Sequence, residues 1–157
     1  MVYFLDTSAT VRLYVVEAGW LGVRAMLRSA VADPAGTVVC LCDLVLPGTV
    51  SAFRQIAYGG EAARRGFSPA AHRRVLPQVR ADLTATKHIP QVPASGCTAL
   101  ATTVVERQQL RGADAVHVAA ALTARDAVAA ERFVFVSHDQ QQCRAAEREG
   151  LQVLTLA

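Results

Sequence analysis

Val2-Tyr3-Phe4-Leu5-Asp6-Thr7-Ser8-Ala9 begins with four apolar or aromatic residues and then turns at once to an acid and two hydroxyls. Such a run predicts a short buried strand that leads directly into a helix. Phe133-Val134-Phe135-Val136-Ser137-His138-Asp139 follows the same plan near the other end of the chain. Between them, residues 37–42 form a third apolar, β-branched run. Residues 89–92, beside Pro90 and Pro93, suit a short edge strand, and residues 151–156 supply a last one. Helical patterns fill the intervals: residues 7–17, 20–31, 47–58, 68–85, 96–110, 113–126 and 139–149. Gly19 breaks the first pattern, Asp33-Pro34-Ala35-Gly36 marks a turn, and Gly59-Gly60 and Gly150 close two helices. Strands that alternate with helices imply a parallel sheet covered on both faces, an α/β fold of three layers.

The composition fits this architecture. At 157 residues the chain suits a single domain over 1–157. Apolar residues make up 52% and charged ones only 18%, enough to bury a core and too little charge for disorder. No apolar run approaches the roughly 18–20 residues that span a bilayer. Asp6 interrupts the apolar start before the first basic residue, Arg12, so no secretory signal is expected. Cys40, Cys42, Cys97 and Cys143 form no C-x-x-C pair. That spacing argues against zinc and for buried, reduced thiols in a cytoplasmic protein.

The net charge of +3 does not by itself imply nucleic acid, but its distribution is uneven. Arg54, Arg64, Arg65, Arg73, Arg74, Arg80 and Lys87 occupy the middle third with His72 and His88, while Asp6, Asp114 and Asp139 lie elsewhere. A basic middle beside an acidic centre is one way to hold a polyanion over bound cations; a solvated helical face is the plainer account.

Each of the three aspartates has a structural explanation. Asp6 and Asp139 each open a helix after a strand, and Asp114 follows Gly112 in the first turn of its helix. An acid there caps exposed amides or complements the helix dipole, typically for ~1 kcal/mol. Jointly they have another. In an open parallel sheet ligands gather outside the carboxyl ends of the strands, where Asp6 and Asp139 meet if their strands are neighbours. Carboxylates brought together repel unless cations compensate, and hard ions such as Mg²⁺ or Mn²⁺ prefer oxygen ligands.

These segments, in this order, resemble the PIN-domain family and its VapC-type toxins. Residues 2–9 look like the family's opening strand and acidic turn. Gly112-Ala113-Asp114-Ala115-Val116-His117-Val118-Ala119-Ala120-Ala121-Leu122 is similar to the helix that bears its third acid. Residues 133–139 resemble the strand and turn that bear the last. The resemblance implies a five-stranded parallel sheet in the order 3-2-1-4-5 with the acids at its carboxyl edge. It also implies a Mg²⁺- or Mn²⁺-dependent endoribonuclease, a hydrolase of single-stranded RNA in a toxin–antitoxin system. Members are often homodimers and often inhibited by a cognate antitoxin. Asp6, Asp114 and Asp139 match the catalytic, metal-holding acids, with Thr7, Ser8 and Ser137 as supporting hydroxyls.

The chain departs from the family at Gly48. In Leu46-Pro47-Gly48-Thr49-Val50-Ser51-Ala52-Phe53-Arg54 the family usually carries Glu where Gly48 stands. Glycine offers no ligand and costs a helix up to ~1 kcal/mol relative to Ala. Activity is then expected to be reduced or lost, and Gly48→Glu to raise it if only a ligand is missing. Asp43, five residues earlier, is a candidate substitute. His117, one turn after Asp114, is expected to pack or hydrogen-bond, and Arg54 is a candidate phosphate contact. The rival reading is a degenerate PIN module that binds RNA or a protein. Receiver and haloacid-dehalogenase-like domains fit poorly: Asp6 has no acidic neighbour, Ser8 stands where the latter expects Asp, and Lys87 is the sole lysine. No Gly-rich nucleotide-binding signature is present.

Overall fold

The computed structural model describes residues 1–59, 67–84, 89–128 and 130–156. Five strands alternate with helices: β1 (Val2–Leu5), α1 (Thr7–Val11), α2 (Trp20–Ala32), β2 (Val38–Cys42), α3 (Val45–Tyr58), α4 (Pro69–Thr84), β3 (Gln91–Val92), a 3₁₀ turn (Ala94–Cys97), α5 (Thr98–Arg107), α6 (Gly112–Ala127), β4 (Phe133–Ser137), α7 (Gln140–Arg148) and β5 (Gln152–Thr155). The sheet is wholly parallel in the order β3-β2-β1-β4-β5, as expected. β1 lies centrally between β2 and β4, and Leu5 is level with Leu41 and Val136. Strand order therefore reverses beside β1, which makes its carboxyl end the switch point of the sheet.

Strand periodicity divides the core into two halves. Leu5, Val39, Leu41, Val134 and Val136 pack with residues of α1–α4 such as Ala9, Val23, Phe53 and Val79. Phe4, Cys40, Cys42, Phe133 and Phe135 face α5, α6 and α7. On this second face the strands carry the bulk. The Phe4 and Phe135 rings stack with centroids 6.0 Å apart, and α6 meets them with Ala119, Ala120, Ala121 and Ala124. Small residues on the helix let it approach large rings on the sheet without leaving voids.

Several elements differ from the expected boundaries, α1 and α5 the most. α1 ends at Val11 because Arg12 turns inward: its guanidinium donates to the Ser8 and Ala18 carbonyls at 2.6 Å and pairs with Glu17 at 3.6 Å. The chain wraps around that side chain, and residues 12–14 form turns. The helix expected over residues 96–110 is preceded by the 3₁₀ turn, whose first amide, Ala94, is capped by Asp43 Oδ1 at 2.9 Å. Gly19 and Gly150 have φ of 80° and 83°, the left-handed backbone that suits glycine at the edges of α2 and α7.

All four cysteines are buried and free, and burial pushes the Cys40 thiol up to about 12 and Cys42 up to about 11. They serve as small core residues. Among the described residues no helix is long and apolar enough to cross a membrane. Arg64, Arg65, Lys87, His88, Gly60 and Ala85 lie outside the described residues.

Phe135 is fully buried between the sheet and α6. Phe135→Ala is expected to lower stability by about 3–5 kcal/mol through lost burial and a residual cavity, read by urea denaturation. A loss below 1 kcal/mol would mean that this half of the core is not packed as described.

Candidate functional site

Asp6 leaves β1 and caps α1, with Oδ1 accepting from the Ala9 amide at 2.7 Å. Two hydroxyls complete its surroundings. Ser8 Oγ lies 2.8 Å from both carboxylate oxygens, and Ser137 Oγ donates to Oδ2 at 2.7 Å. Asp6 is only 3% exposed, and burial raises its pKa despite these donors. The hydroxyls also join the elements: Ser8 Oγ accepts from the His138 amide at 2.8 Å, and Ser137 Oγ accepts from the Asp139 amide at 3.0 Å.

Asp139 is exposed and caps α7, with Oδ1 accepting from the Gln141 and Gln142 amides at 2.8 and 2.9 Å. Among the described residues its Oδ2 makes no hydrogen bond, and neither does the Asp114 carboxylate. Partial burial raises the Asp114 pKa, and the negative charges of Asp139 and Asp6 raise it further, opposed by His117 and Arg111. Asp114 thus lies within range of the charges of the other two expected acids, which follow β1 and β4 at the carboxyl edge of the sheet. The three are not drawn into a ready cup: among the described residues no group of three or more His, Cys, Asp or Glu side chains is arranged to hold a metal ion. Asp114 and Asp139 have oxygens free to turn toward a cation, while Asp6 is already surrounded by donors.

Gln142 ties the acids together and was not singled out from the sequence. It is 1% exposed; its Nε2 donates to the Asp114 carbonyl at 3.1 Å, and its Oε1 lies 3.2 Å from Ser137 Oγ. The legible signal was its place three residues after the helix-capping Asp139, the position of a capping-box glutamine. Here the amide reaches across to α6 instead of back to the cap.

Gly48 lies in the first turn of α3, and its missing side chain has a structural counterpart. A Cβ built there would stand 2.6 Å from Thr7 Oγ1 and 3.0 Å from Thr7 Cγ2. Thr7 Oγ1 is in turn 3.1 Å from His117 Nε2. The Thr7–His117 contact therefore occupies the space into which a side chain at position 48 would grow. His117 is 4% exposed, its Nδ1 has no partner among the described residues, and burial lowers its pKa to about 4. It packs as a neutral ring, within range of the Asp114 and Asp43 charges. Asp43 itself is spent on the 3₁₀ turn.

Ser8 and His138 also line a cleft of about 870 Å³ that runs past Arg12 and Glu17 to Gln55 and Ile56 of α3. Arg54 is exposed one turn before the end of α3, its guanidinium 5.5 Å from the Tyr58 ring centroid. The chain matches no family model and no curated protein.

Two consequences of this geometry can be measured. Gly48→Ala forces Thr7 to give way, at about 1–3 kcal/mol for overpacking, partly offset by the better helix propensity of Ala. In a Thr7→Ala background both close contacts vanish, so Gly48→Ala is expected to become stabilising by up to ~1 kcal/mol in thermal or urea melts. The same sign in both backgrounds would disprove the steric coupling.

His117 titrates near 4 in the folded protein and near its ordinary 6.5 when unfolded. Between these values the unfolded chain binds the extra proton, so this contribution is full above pH 6.5 and lost as pH falls toward 4. Asp6 and Asp114, raised above 3.8, act in the opposite sense as pH climbs through their folded values. The difference between wild type and His117→Gln isolates the imidazole. The variant is expected to be flatter over this window by roughly 2–3 kcal/mol, and parallel curves would rule His117 out.

Proposed function

We propose that the chain is a PIN-type, metal-dependent endoribonuclease that cleaves single-stranded RNA with reduced activity. The observation that supports this best is the placement of Asp6 and Asp139 after the neighbouring strands β1 and β4 at the switch point of a parallel sheet, with Asp114, its pKa raised first by burial and then by the charges of Asp139 and Asp6, beside them. An excess of negative charge with unengaged oxygens on Asp114 and Asp139 suits one Mg²⁺ or Mn²⁺ and does not suit a pair. Such an ion would supply charge neutralisation and a Lewis acid at the scissile phosphate.

The chain's own residues do the remaining work. Asp6, fixed by Ser8, Ser137 and the Ala9 amide, adds fixed negative charge behind the ion site. Ser137 and Gln142 hold β4, α7 and α6 in register, and with them Asp139 and Asp114. Arg54 is placed on α3 to meet a phosphate from the exposed side. The reading brings with it a cytoplasmic setting, a cognate antitoxin and a homodimer.

A second reading, a PIN module that binds RNA or a protein without cleaving, is favoured by one specific feature. Position 48 carries no acid, and Thr7 fills the space beside it. For the same reason Gly48→Glu is not a simple restoration; it needs Thr7→Ala beside it before a carboxylate can enter.

The two readings separate in a cleavage assay with labelled single-stranded RNA and Mn²⁺. The nuclease is expected to show metal-dependent cleavage that falls at least ~100-fold in Asp6→Asn, a loss in keeping with removal of an essential charged group. Equal residual cleavage in both proteins, or none in either, would favour the binding module.

A further inference from the structure

A second polar depression lies between the end of α5 and α7. It encloses about 670 Å³ and is lined by the arginines Arg107, Arg144 and Arg148 and by the amides of Gln109, Gln140 and Gln141, with no acidic side chain among the described residues of its walls. We propose that this groove is a track for single-stranded RNA, gripping phosphates through Arg144 and Arg148 and directing the strand toward Asp114 and Asp139. The inference rests on the ribonuclease reading for its direction, though not for its ability to bind.

Charge supports it first. Glu149, beside the groove, is engaged by Arg107 at 3.5 Å and by Gln108 Nε2 at 2.8 Å. Arg148 donates to a neutral partner, Gln108 Oε1 at 3.5 Å, and so keeps its charge uncompensated. Arg144 is exposed and has no hydrogen bond or ion pair among the described residues. Of the three arginines that line the groove, only Arg107 is paired with a carboxylate among the described residues. Arg144 and Arg148, one turn apart on α7, offer adjacent forks to a phosphodiester backbone.

The lining also discriminates between partners. A protein interface depends on a buried apolar or aromatic centre, and among the described residues that line this groove Ala145 is the only apolar one. Amides carry both donors and acceptors and can meet base edges or ribose hydroxyls exposed in a single strand. With no aromatic ring for stacking, binding should be weak and dominated by salt-sensitive phosphate contacts.

Continuity with the acids supplies the direction. Gln140 and Gln141 follow Asp139 directly, and Asp139 Oδ1 holds the Gln141 amide. Gln141 Nε2 donates to the Gln109 carbonyl, closing the groove against the segment that leads into α6 and Asp114. The groove therefore adjoins the start of α7, where Asp139 stands next to the lining residues Gln140 and Gln141.

The test is fluorescence anisotropy of a labelled 12-nucleotide single-stranded RNA over a salt series, in EDTA so that metal-dependent cleavage does not run. Arg144→Ala/Arg148→Ala is expected to weaken binding about tenfold or more at low salt and to reduce the log–log salt slope by about 1.4, near 0.7 per lost phosphate contact. Arg28→Ala, an exposed arginine on α2 in the opposite layer, should leave both unchanged. Should the double variant lose its fold, Arg144→Glu alone is expected to weaken binding by at least as much. Wild-type affinity and slope in these variants, an equal loss in Arg28→Ala, or no RNA binding by the wild type would each overturn the groove. The nuclease reading fails separately. Groove-dependent binding without Mn²⁺-dependent cleavage removes the enzyme and keeps the track, whereas cleavage that is indifferent to Arg144 and Arg148 at subsaturating RNA does the reverse.

Discussion

The buried carboxylate of Asp6 is the constraint on which the site depends. Removing an acid from water is costly unless donors replace the lost solvent, and here Ser8, Ser137 and the Ala9 amide do so. Each donor belongs to a different requirement of the fold. The Ala9 amide opens α1, Ser8 also receives the His138 amide, and Ser137 ends β4 and receives the Asp139 amide. Satisfying one carboxylate therefore fixes where β1 and β4 stop and how α1 and α7 begin.

From that anchor the other acids acquire their separate characters. Asp139 divides itself between capping α7 and facing solvent, while Asp114 is half-buried and held in place through the Gln142 bridge. The same residue type at three helix starts thus becomes a buried cap, a half-committed cap and an acid whose pKa is raised first by burial and then by its neighbours. Gly48 belongs to the same arrangement. Its lack of a side chain is matched by Thr7 and His117, so the bare position is built into the packing of α1, α3 and α6.

The electrostatic layout of the surface follows from the topology. Acids collect at the carboxyl edge because strands of a parallel sheet all point one way. The helices that return the chain place basic and amide side chains to either side, Arg54 on α3 and the arginines of α5 and α7 opposite. A small overall charge of +3 conceals this separation.

The alternation of elements, the sheet order implied by the resemblance, the buried thiols and the three acids at helix starts were legible in residue types and spacing, because strand and helix periodicities are local properties. The resemblance also drew attention to Gly48. The sequence could not show that Thr7 stands 2.6 Å from where a Cβ at 48 would be, that Gln142 turns inward, or that Arg12 ends α1 early. Nor could it place Arg107 beside Arg144 and Arg148 in one groove. Those facts depend on side chains from segments distant in the chain meeting across packed layers. Local patterning determines which elements form and what chemistry they carry; only the closing of the sheet and its helices decides which of those side chains share a space.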